Sequence, residues 1–203
     1  MATTIQTIET PKRARALDTS GNNNHGQIYS GRALEFDGIG DRISLTSAYN
    51  IIDFSAETTQ ANRAWTVVCW VNYYANTESN HMGVMHGGGG VKAVNYIGLR
   101  GGNINKLTIY DPTSLATGSA AWRVGNTVLN ANSWYRAVWV FDGDTTVSFY
   151  LNGIADGSGE LNNTGTNAGG ENWVDLTFQH IGNSGTRPWN GALSDFQIWT
   201  GAW

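Results

Sequence analysis

The chain of 203 residues contains 14% charged residues, 26 glycines and 3 prolines, and its formal net charge is −4. These values exclude a coiled coil, a charge-rich disordered chain and the basic surface of a nucleic-acid-binding protein. No stretch approaches the roughly 20 apolar residues of a membrane span, and the N-terminus lacks the apolar core of a signal peptide. We therefore expect one domain of short strands and tight turns, made in the cytoplasm and not inserted in a membrane.

In chain order, the sequence begins with a polar segment, residues 1–16, which predicts an arm or a first edge strand. Short runs of alternating apolar side chains then predict strands at residues 33–36, 42–45, 65–72, 95–99, 106–110, 176–181 and 192–199. Two segments rich in Gly, Asn and Ser, residues 72–94 and 155–172, are predicted to be long loops. No segment of about ten residues keeps a 3.6-residue apolar period, so the predicted fold class is all-β.

The clearest strand signal is the stretch SWYRAVWVFDGDTTVSFYLNG, which begins at Ser133. Because strand side chains alternate between faces, Trp139 shares a face with Phe141, and Val147 shares a face with Phe149. The Asp-Gly-Asp sequence between the two runs and the Asn-Gly pair at the end are turn signals. The stretch predicts a β-hairpin whose aromatic side chains mostly fill the interior of a sheet structure.

Five motifs occur along the chain in a recognisable order. They are DTSGNNNHG at residues 18–26, GRALEFDGIGDRISL at 31–45, WTVVCWVN at 65–72, the hairpin stretch at 133–153 and IGNSGTRPWNGALSDFQIWTGAW at 181–203. This ordered set resembles the laminin G-like domains of the concanavalin A-like jelly-roll superfamily. The resemblance covers residues 17–203 and leaves residues 1–16 as an N-terminal arm. It implies a jelly-roll β-sandwich of two antiparallel sheets, with the first and last strands adjacent.

Catalytic chemistry has little support in the sequence. Glycosidases, which occur in this superfamily, need two or three carboxylates on one face of a strand, about 5 to 9.5 Å apart. The nearest approach is Glu35 with Asp37, in a segment that the resemblance assigns to a turn. A zinc site at His81 and His86 would need a third ligand that the sequence does not offer. We therefore expect that the protein is not an enzyme.

Calcium is the one cofactor that the sequence predicts. The motif DTSGNNNHG offers carboxylate, hydroxyl and amide oxygens, which are the ligands that calcium prefers. The resemblance implies a structural calcium between this turn and an acidic residue of the last strand. The matching positions are Asp18, Asn22, Asn24 and Asp195. The alternative is that Asp18 and the asparagines cap a turn through hydrogen bonds from side chain to backbone.

The nine tryptophans supply the candidates for sugar binding. An exposed indole ring can cover the apolar face of a pyranose while amides meet its hydroxyl groups. The candidates in loop-like sequences are Trp122, Asn172, Trp173 and Trp189. The alternative is that these loop tryptophans plug an end of the sandwich. The tryptophans in strand patterns, which are predicted to lie in the core, are Trp65, Trp70, Trp139 and Trp199.

Two classes of function fit these features. The chain has one cysteine, Cys69, which is predicted to be a small buried hydrophobe. Together with the missing signal peptide and the unmatched arm, this cysteine usage makes the chain resemble laminin G-like domains in virion proteins of tailed phages. Such a structural protein, of the capsid-decoration or tail-fibre type, would reside in the virion. It would dock on other virion proteins or on itself and touch host-surface glycans with its loops. The alternative is a lectin-like, carbohydrate-binding recognition module of a larger protein.

Overall fold

The computed structural model describes residues 14–16, 26–28, 33–52, 64–75, 81–86, 96–101, 104–110, 122–143, 146–160, 176–182 and 187–202. Only the backbone is described for residues 14–16, 26–28, 45–52, 96, 110, 122 and 176–179. The chain forms two compact units, Met1–Arg32 and Ala33–Trp203. In the smaller unit, β1 (Ala14–Ala16) pairs antiparallel with β2 (Gly26–Ile28). The boundary of the arm at residue 16 stays a prediction.

The larger unit consists of two antiparallel six-stranded sheets. Its strands are β3 (Leu34–Asp37), β4 (Ile43–Ile52), β5 (Trp65–Tyr73), β6 (Met82–His86), β7 (Tyr96–Leu99), β8 (Leu107–Tyr110), β9 (Trp122–Val124), β10 (Tyr135–Phe141), β11 (Thr146–Leu151), β12 (Ile154–Glu160), β13 (Leu176–Ile181) and β14 (Asn190–Thr200). Sheet I has the order β12-β11-β10-β5-β14-β3, and sheet II has the order β4-β13-β6-β7-β8-β9.

The described elements are all strands, and no helix occurs among the described residues. Strand β3 pairs antiparallel with β14, so the first and last strands of the larger unit are adjacent. The prediction of an all-β jelly-roll sandwich of two antiparallel sheets is therefore confirmed. Within the described part of the chain, no helical segment has the length and hydropathy needed to cross a bilayer.

The predicted hairpin is formed by β10 and β11. Trp139 lies opposite Phe149, and both side chains are fully buried, as the alternation predicts. At the end of β11, Asn152 and Gly153 have φ angles of 52° and 81°. Positive φ at both central residues is the requirement of a type I′ turn, which Asn-Gly meets at low cost. The turn leads directly into β12, so three consecutive strands pair in order.

The hydrophobic core lies between the inner faces of the two sheets. Strand β5 is central in sheet I, and its core-facing residues alternate along the strand. Fully buried apolar side chains from both sheets meet there, among them Val67, Val71, Val84, Ile97, Leu107 and Ile109. Cys69 is also fully buried on β5, and burial raises the pKa of its thiol to about 12. The thiol is therefore a small protonated hydrophobe, which confirms the prediction.

Two segments predicted as loops contain strands, so the prediction is wrong there. Strand β6 lies inside the predicted loop 72–94, and most of β12 lies inside the predicted loop 155–172. All five residues of β6 are buried, which means that both faces of the strand are covered. A strand covered on both faces needs no alternation of polar and apolar residues, and the sequence MGVMH has none. Strand β12 is rich in polar residues and glycine, and it forms because the Asn-Gly turn places it beside β11.

Of the four tryptophans that strand patterns assign to the core, two are buried and two are exposed. Trp65 and Trp139 are fully buried, as predicted. Trp70 and Trp199 are 37% and 48% exposed, so the prediction is wrong for these two. Trp70 directly follows the core-facing Cys69 on β5, and strand alternation therefore directs its ring to the outer face of sheet I.

Candidate functional site

The outer face of sheet I carries exposed tryptophans beside polar side chains. Four residues on or beside β5 and β10 form one group, which we call the Trp70 patch: Trp70, Asn72, Trp134 and Arg136. The antiparallel register of these strands places Arg136 directly opposite Trp70. Directly opposite side chains have Cβ atoms roughly 5 Å apart. A ring stacked on Trp70 therefore lies within reach of the Arg136 guanidinium.

Trp134 extends the patch beyond the start of β10. It immediately precedes that strand and is 43% exposed. Its neighbour Tyr135 packs against the core and pairs with Val71. Strand alternation therefore places Trp134 on the outer side, next to Asn72. Since Trp70 and Asn72 are about 7 Å apart along β5, two exposed indoles flank the asparagine.

Asn72 is the buried polar centre of the Trp70 patch. Its side chain is 8% exposed, and its Oδ1 has no hydrogen-bond partner among the described residues. Strand β14 approaches closely here, because a Cβ at Gly191 would lie 2.1 Å from the Asn72 carbonyl oxygen. A buried acceptor without a partner costs about 1 to 3 kcal/mol. Because this oxygen is itself buried, a donor from a ligand reaches it only when a neighbouring side chain moves aside.

The other polar groups of the Trp70 patch are also unengaged. Within the described part of the chain, neither the indole N–H groups of Trp70 and Trp134 nor the Arg136 guanidinium has a hydrogen-bond partner. By contrast, the buried Trp139 donates its indole N–H to the Thr108 carbonyl oxygen at 3.1 Å. The patch thus combines two aromatic rings with donors and one acceptor that have no partner among the residues that the structure describes.

Tyr74 and Glu35 form a polar rim next to the Trp70 patch. The Tyr74 hydroxyl donates to Glu35 Oε1 at 3.2 Å. Desolvation, together with this hydrogen bond and the charge of the carboxylate, raises the pKa of Tyr74. Glu35 lies on β3, two strand spacings or about 10 Å from β5. The rim therefore has its own internal hydrogen bond.

Trp199 stands on the same outer face but at its other end. It lies opposite Thr66, which precedes Trp70 by four positions, or about 13 Å, along β5. Its indole N–H donates to Gln197 Oε1 at 3.2 Å, and Gln197 Nε2 donates to Asp195 Oδ1 at 2.7 Å. A β-bulge in β14 and a φ of 48° at Asp195 accompany this chain of hydrogen bonds.

The predicted sugar-binding residues are distributed differently from the Trp70 patch. Trp189 is fully buried in the core, so it presents no exposed ring, and its burial fits the alternative that it plugs the sandwich. Trp122 begins β9, and only its backbone is described. Asn172 and Trp173 lie outside the described residues. The structure does not bring these four residues together within its described part.

The predicted calcium ligands are only partly described. Asp18, Asn22 and Asn24 lie outside the described residues. Asp195 is exposed on β14, and one of its carboxylate oxygens already accepts a hydrogen bond from Gln197. The described ranges contain no group of three His, Cys, Asp or Glu residues arranged to hold a metal ion. The calcium site stays a prediction.

The two histidines considered as zinc ligands are engaged in the structure of sheet II and its loops. His81 Nδ1 accepts a hydrogen bond from the Gly101 N–H at 2.9 Å, and His86 Nε2 lies 3.2 Å from the Arg187 carbonyl oxygen. Desolvation is the largest cause that lowers the pKa of each imidazole to about 4. Both side chains are therefore neutral at pH 7 and serve the fold.

The carboxylates of Glu35 and Asp37 are also engaged. Asp37 Oδ1 accepts hydrogen bonds from the N–H groups of Ile39 at 2.7 Å and Gly40 at 3.0 Å, which lower its pKa. This carboxylate closes the turn of the FDGIGD motif, while Glu35 accepts the hydroxyl of Tyr74. The two residues thus lack the arrangement of acid and base that a glycosidase needs around its substrate.

Loop context does not predict the Trp70 patch, because its residues lie on or beside strands. The alternation of side chains along β5 and β10 does indicate the patch. Asn72 and Arg136 are polar residues within apolar strands, and such residues mark the solvent face of an antiparallel sheet. Trp70 has the same parity as Asn72, and Trp134 has the same parity as Arg136. Alternation alone would therefore assign both indoles to the outer face.

Two solved structures resemble this chain at low sequence identity. The CBM40 of Ruminococcus gnavus IT-sialidase, bound to alpha2,3 sialyllactose, matches with a TM-score of 0.53 and 11% identity over 85% of this chain and 90% of that one. The native heptameric SAP-like pentraxin from Limulus polyphemus matches with a TM-score of 0.47 and 18% identity over 70% of this chain. This chain spans 65% of the length of that pentraxin. The likeness to the CBM40 concerns the fold alone.

Sequence comparison identifies the family. A search of curated protein sequences found no match. A family model, Laminin_G_3, described as the concanavalin A-like lectin/glucanases superfamily, matches residues 46–203, which is most of the chain. The matched region includes most of both sheets and all four residues of the Trp70 patch. The chain therefore belongs to the Laminin_G_3 family of the concanavalin A-like lectin/glucanases superfamily.

Proposed function

We propose that the protein is a non-catalytic carbohydrate-binding module that holds a glycan on the Trp70 patch. The observation that carries this proposal is the pair of exposed indoles, Trp70 and Trp134, on either side of the unpartnered Asn72 Oδ1. An indole ring covers the apolar face of a pyranose, and its N–H group can meet a hydroxyl at the ring edge. The indole rings of the patch match the apolar face of a sugar, and the polar groups beside them match its hydroxyl groups.

Energetics favour a ligand with hydroxyl groups over a purely apolar one. The Asn72 Oδ1 is buried, so it gains a ligand donor only when the side chains around it rearrange on binding. A hydroxyl that then reaches it removes the cost of the unpaired acceptor, whereas a hydrocarbon does not. The indole N–H groups and the guanidinium likewise gain acceptors from a sugar. Carbohydrate is therefore the ligand class that satisfies most of the unengaged groups.

Two further observations support a module that binds without catalysis. The carboxylate of Asp37 closes a turn, and Glu35 accepts the Tyr74 hydroxyl, so neither is arranged as a catalytic acid or base. A protein that shares the fold, the CBM40 of the Ruminococcus gnavus sialidase, was solved with alpha2,3 sialyllactose bound.

The proposal is tested on a glycan array with the full chain, followed by titration calorimetry with the glycan that gives the strongest signal. Trp70→Ala should weaken binding at least about 30-fold, the loss typical of a buried tryptophan anchor. The matched control is Trp199→Ala, which removes an exposed tryptophan of the same face and should change affinity less than about 2-fold. An array without saturable signal, or equal losses in both variants, would contradict the proposal.

The virion role predicted from the sequence stays a prediction, together with its location and its structural partners. It rests on the resemblance and on the arm, whose residues 1–13 lie outside the described part of the chain. Electron microscopy of a native particle tests it, because a decoration protein would occupy a regular lattice. Glycan binding at the Trp70 patch is compatible with either setting, a virion surface or a larger protein.

A further inference from the structure

We propose that the sugar bound at the Trp70 patch carries a carboxylate, which Arg136 holds; this inference rests on the proposed function. Arg136 is the charged residue of the patch and lies directly opposite Trp70 in the register of β5 and β10. Its side chain is exposed. A pyranose stacked on the indole would therefore direct an equatorial substituent towards the guanidinium.

The backbone that carries Arg136 is firmly held. The Arg136 N–H donates to Asn152 Oδ1 at 2.9 Å, and the Asn152 N–H donates to the Arg136 carbonyl oxygen at 2.9 Å. The same Asn152 forms the turn between β11 and β12. The base of the side chain is thus fixed, and only the side-chain torsions need to be ordered when a ligand binds.

No carboxylate of the described outer face neutralises this cation. Glu160 on β12 lies opposite Thr146, about 20 Å along the strands from the level of Arg136. The nearer acidic residues on that face are Asp195 on β14 and Glu35 on β3, at strand spacings of about 10 and 14 Å from β10. Each has a partner of its own, Gln197 and Tyr74 respectively. In a chain of net charge −4, an exposed and unpaired guanidinium within an aromatic patch is the electrostatic complement of an anionic ligand.

A carboxylate suits this group better than a neutral hydroxyl does. The guanidinium is planar and offers two parallel N–H groups to the two oxygens of a carboxylate. Such charge-assisted hydrogen bonds are roughly twice as strong as neutral ones. Uronic acids and sialic acids share this chemistry, a carboxylate attached to a pyranose ring that can stack on an indole.

The test is titration calorimetry with three acids, glucuronate, galacturonate and N-acetylneuraminate, each compared with its methyl ester. The ester keeps the size and ring of the sugar and removes the charge. At least one acid should bind about 10- to 100-fold more tightly than its ester. Arg136→Gln should abolish that preference, and Arg136→Lys, which keeps the charge without the planar fork, should restore only part of it.

Arg42→Gln is the matched control, because Arg42 is an exposed arginine outside the Trp70 patch and its replacement should leave the preference intact. Equal binding of acid and ester, an unchanged preference in Arg136→Gln, or selection of sulfated glycans on the array would overturn the inference. In each of these outcomes Trp70→Ala would still remove binding, so the proposed function would stand. If none of these sugars and no arrayed glycan binds, the proposed function and this inference both fail.

Discussion

Trp70 and Trp199 stand on the same outer face of sheet I, about 13 Å apart along the strands, yet their polar surroundings differ. At one end, the Trp199 indole N–H is bonded to Gln197, which is bonded to Asp195. At the other end, the Trp70 indole, the Arg136 guanidinium and the Asn72 Oδ1 have no partner among the described residues. Exposure alone therefore does not distinguish the two ends.

The two ends differ in how far their polar groups are hydrogen-bonded among the described residues, and the proposed function attributes the difference to a ligand at the Trp70 end. Proteins rarely leave a buried polar atom unpartnered, and a native exception requires an explanation. At the Trp199 end the side chains satisfy each other. At the Trp70 end the same satisfaction is missing, and a glycan supplies it in the proposed complex.

The largest expected effect is that of pH, which should change the stability of the fold but not glycan binding at the Trp70 patch. The pKa of His86 is lowered from 6.5 to about 4, chiefly by desolvation, so the unfolded chain binds more protons in that range. The stability that the neutral imidazole contributes is complete above pH 6.5 and is lost as the pH falls towards 4. The loss should reach about 3 kcal/mol, measured as urea unfolding free energy.

Glycan binding by the folded protein should stay constant between pH 7.5 and 5.5, because the Trp70 patch contains neither a histidine nor a carboxylate. His86→Gln keeps a donor for the Arg187 carbonyl oxygen and should reduce the pH dependence of stability by up to about half, because the pKa of His81 is lowered to the same value. The pKa of His81, also lowered to about 4, and that of His180, lowered as well, leave a smaller slope. An unchanged slope in His86→Gln would contradict the assignment.

A smaller effect, with opposite signs for stability and binding, is expected at Asn72. Asn72→Leu removes a buried amide whose Oδ1 is unpartnered, so it should raise the unfolding free energy by about 1 kcal/mol. The same change removes a ligand contact and should weaken glycan binding about 10-fold. Urea unfolding and calorimetry measure the two quantities on the same sample.

Asn152→Ala is the control, because the side-chain oxygen of Asn152 is satisfied by the Arg136 N–H. Loss of that hydrogen bond, together with the φ of 52° that alanine adopts less readily than asparagine, should lower stability by about 1 to 2 kcal/mol. A destabilised Asn72→Leu variant would show that the asparagine serves the fold, and the distinction between the two ends of the outer face would fail.

Much of the fold follows from local sequence patterns. The alternation in β10 and β11 and the Asn-Gly pair at residue 152 specify faces, register and turn within one continuous segment. Strand β6 could not be recognised in this way, since burial on both faces removes the alternation. Strand β12 depends on its pairing with β11, which a polar sequence does not reveal.

The candidate site was harder to predict than the fold. Trp70 follows an apolar run, and its exposure depends on the parity of a single residue relative to the core-facing Cys69. Trp189 has a loop-like sequence, yet it is fully buried by contacts that are distant along the chain. The alternation can indicate the face on which Asn72 and Arg136 lie. Whether their polar groups find hydrogen-bond partners depends on the neighbouring strands of the folded sheet, which the alternation does not reveal.

The most direct test of the central claim observes the tryptophan indole N–H groups by ¹H–¹⁵N correlation NMR, with signals assigned through single Trp→Phe variants. The glycan with the strongest array signal is titrated into the full chain. The indole signals of Trp70 and Trp134 should shift and saturate together, while that of Trp199, bonded to Gln197, should remain in place. A saturable shift of Trp199 with unmoved signals from Trp70 and Trp134 would contradict the assignment of the glycan to the Trp70 patch.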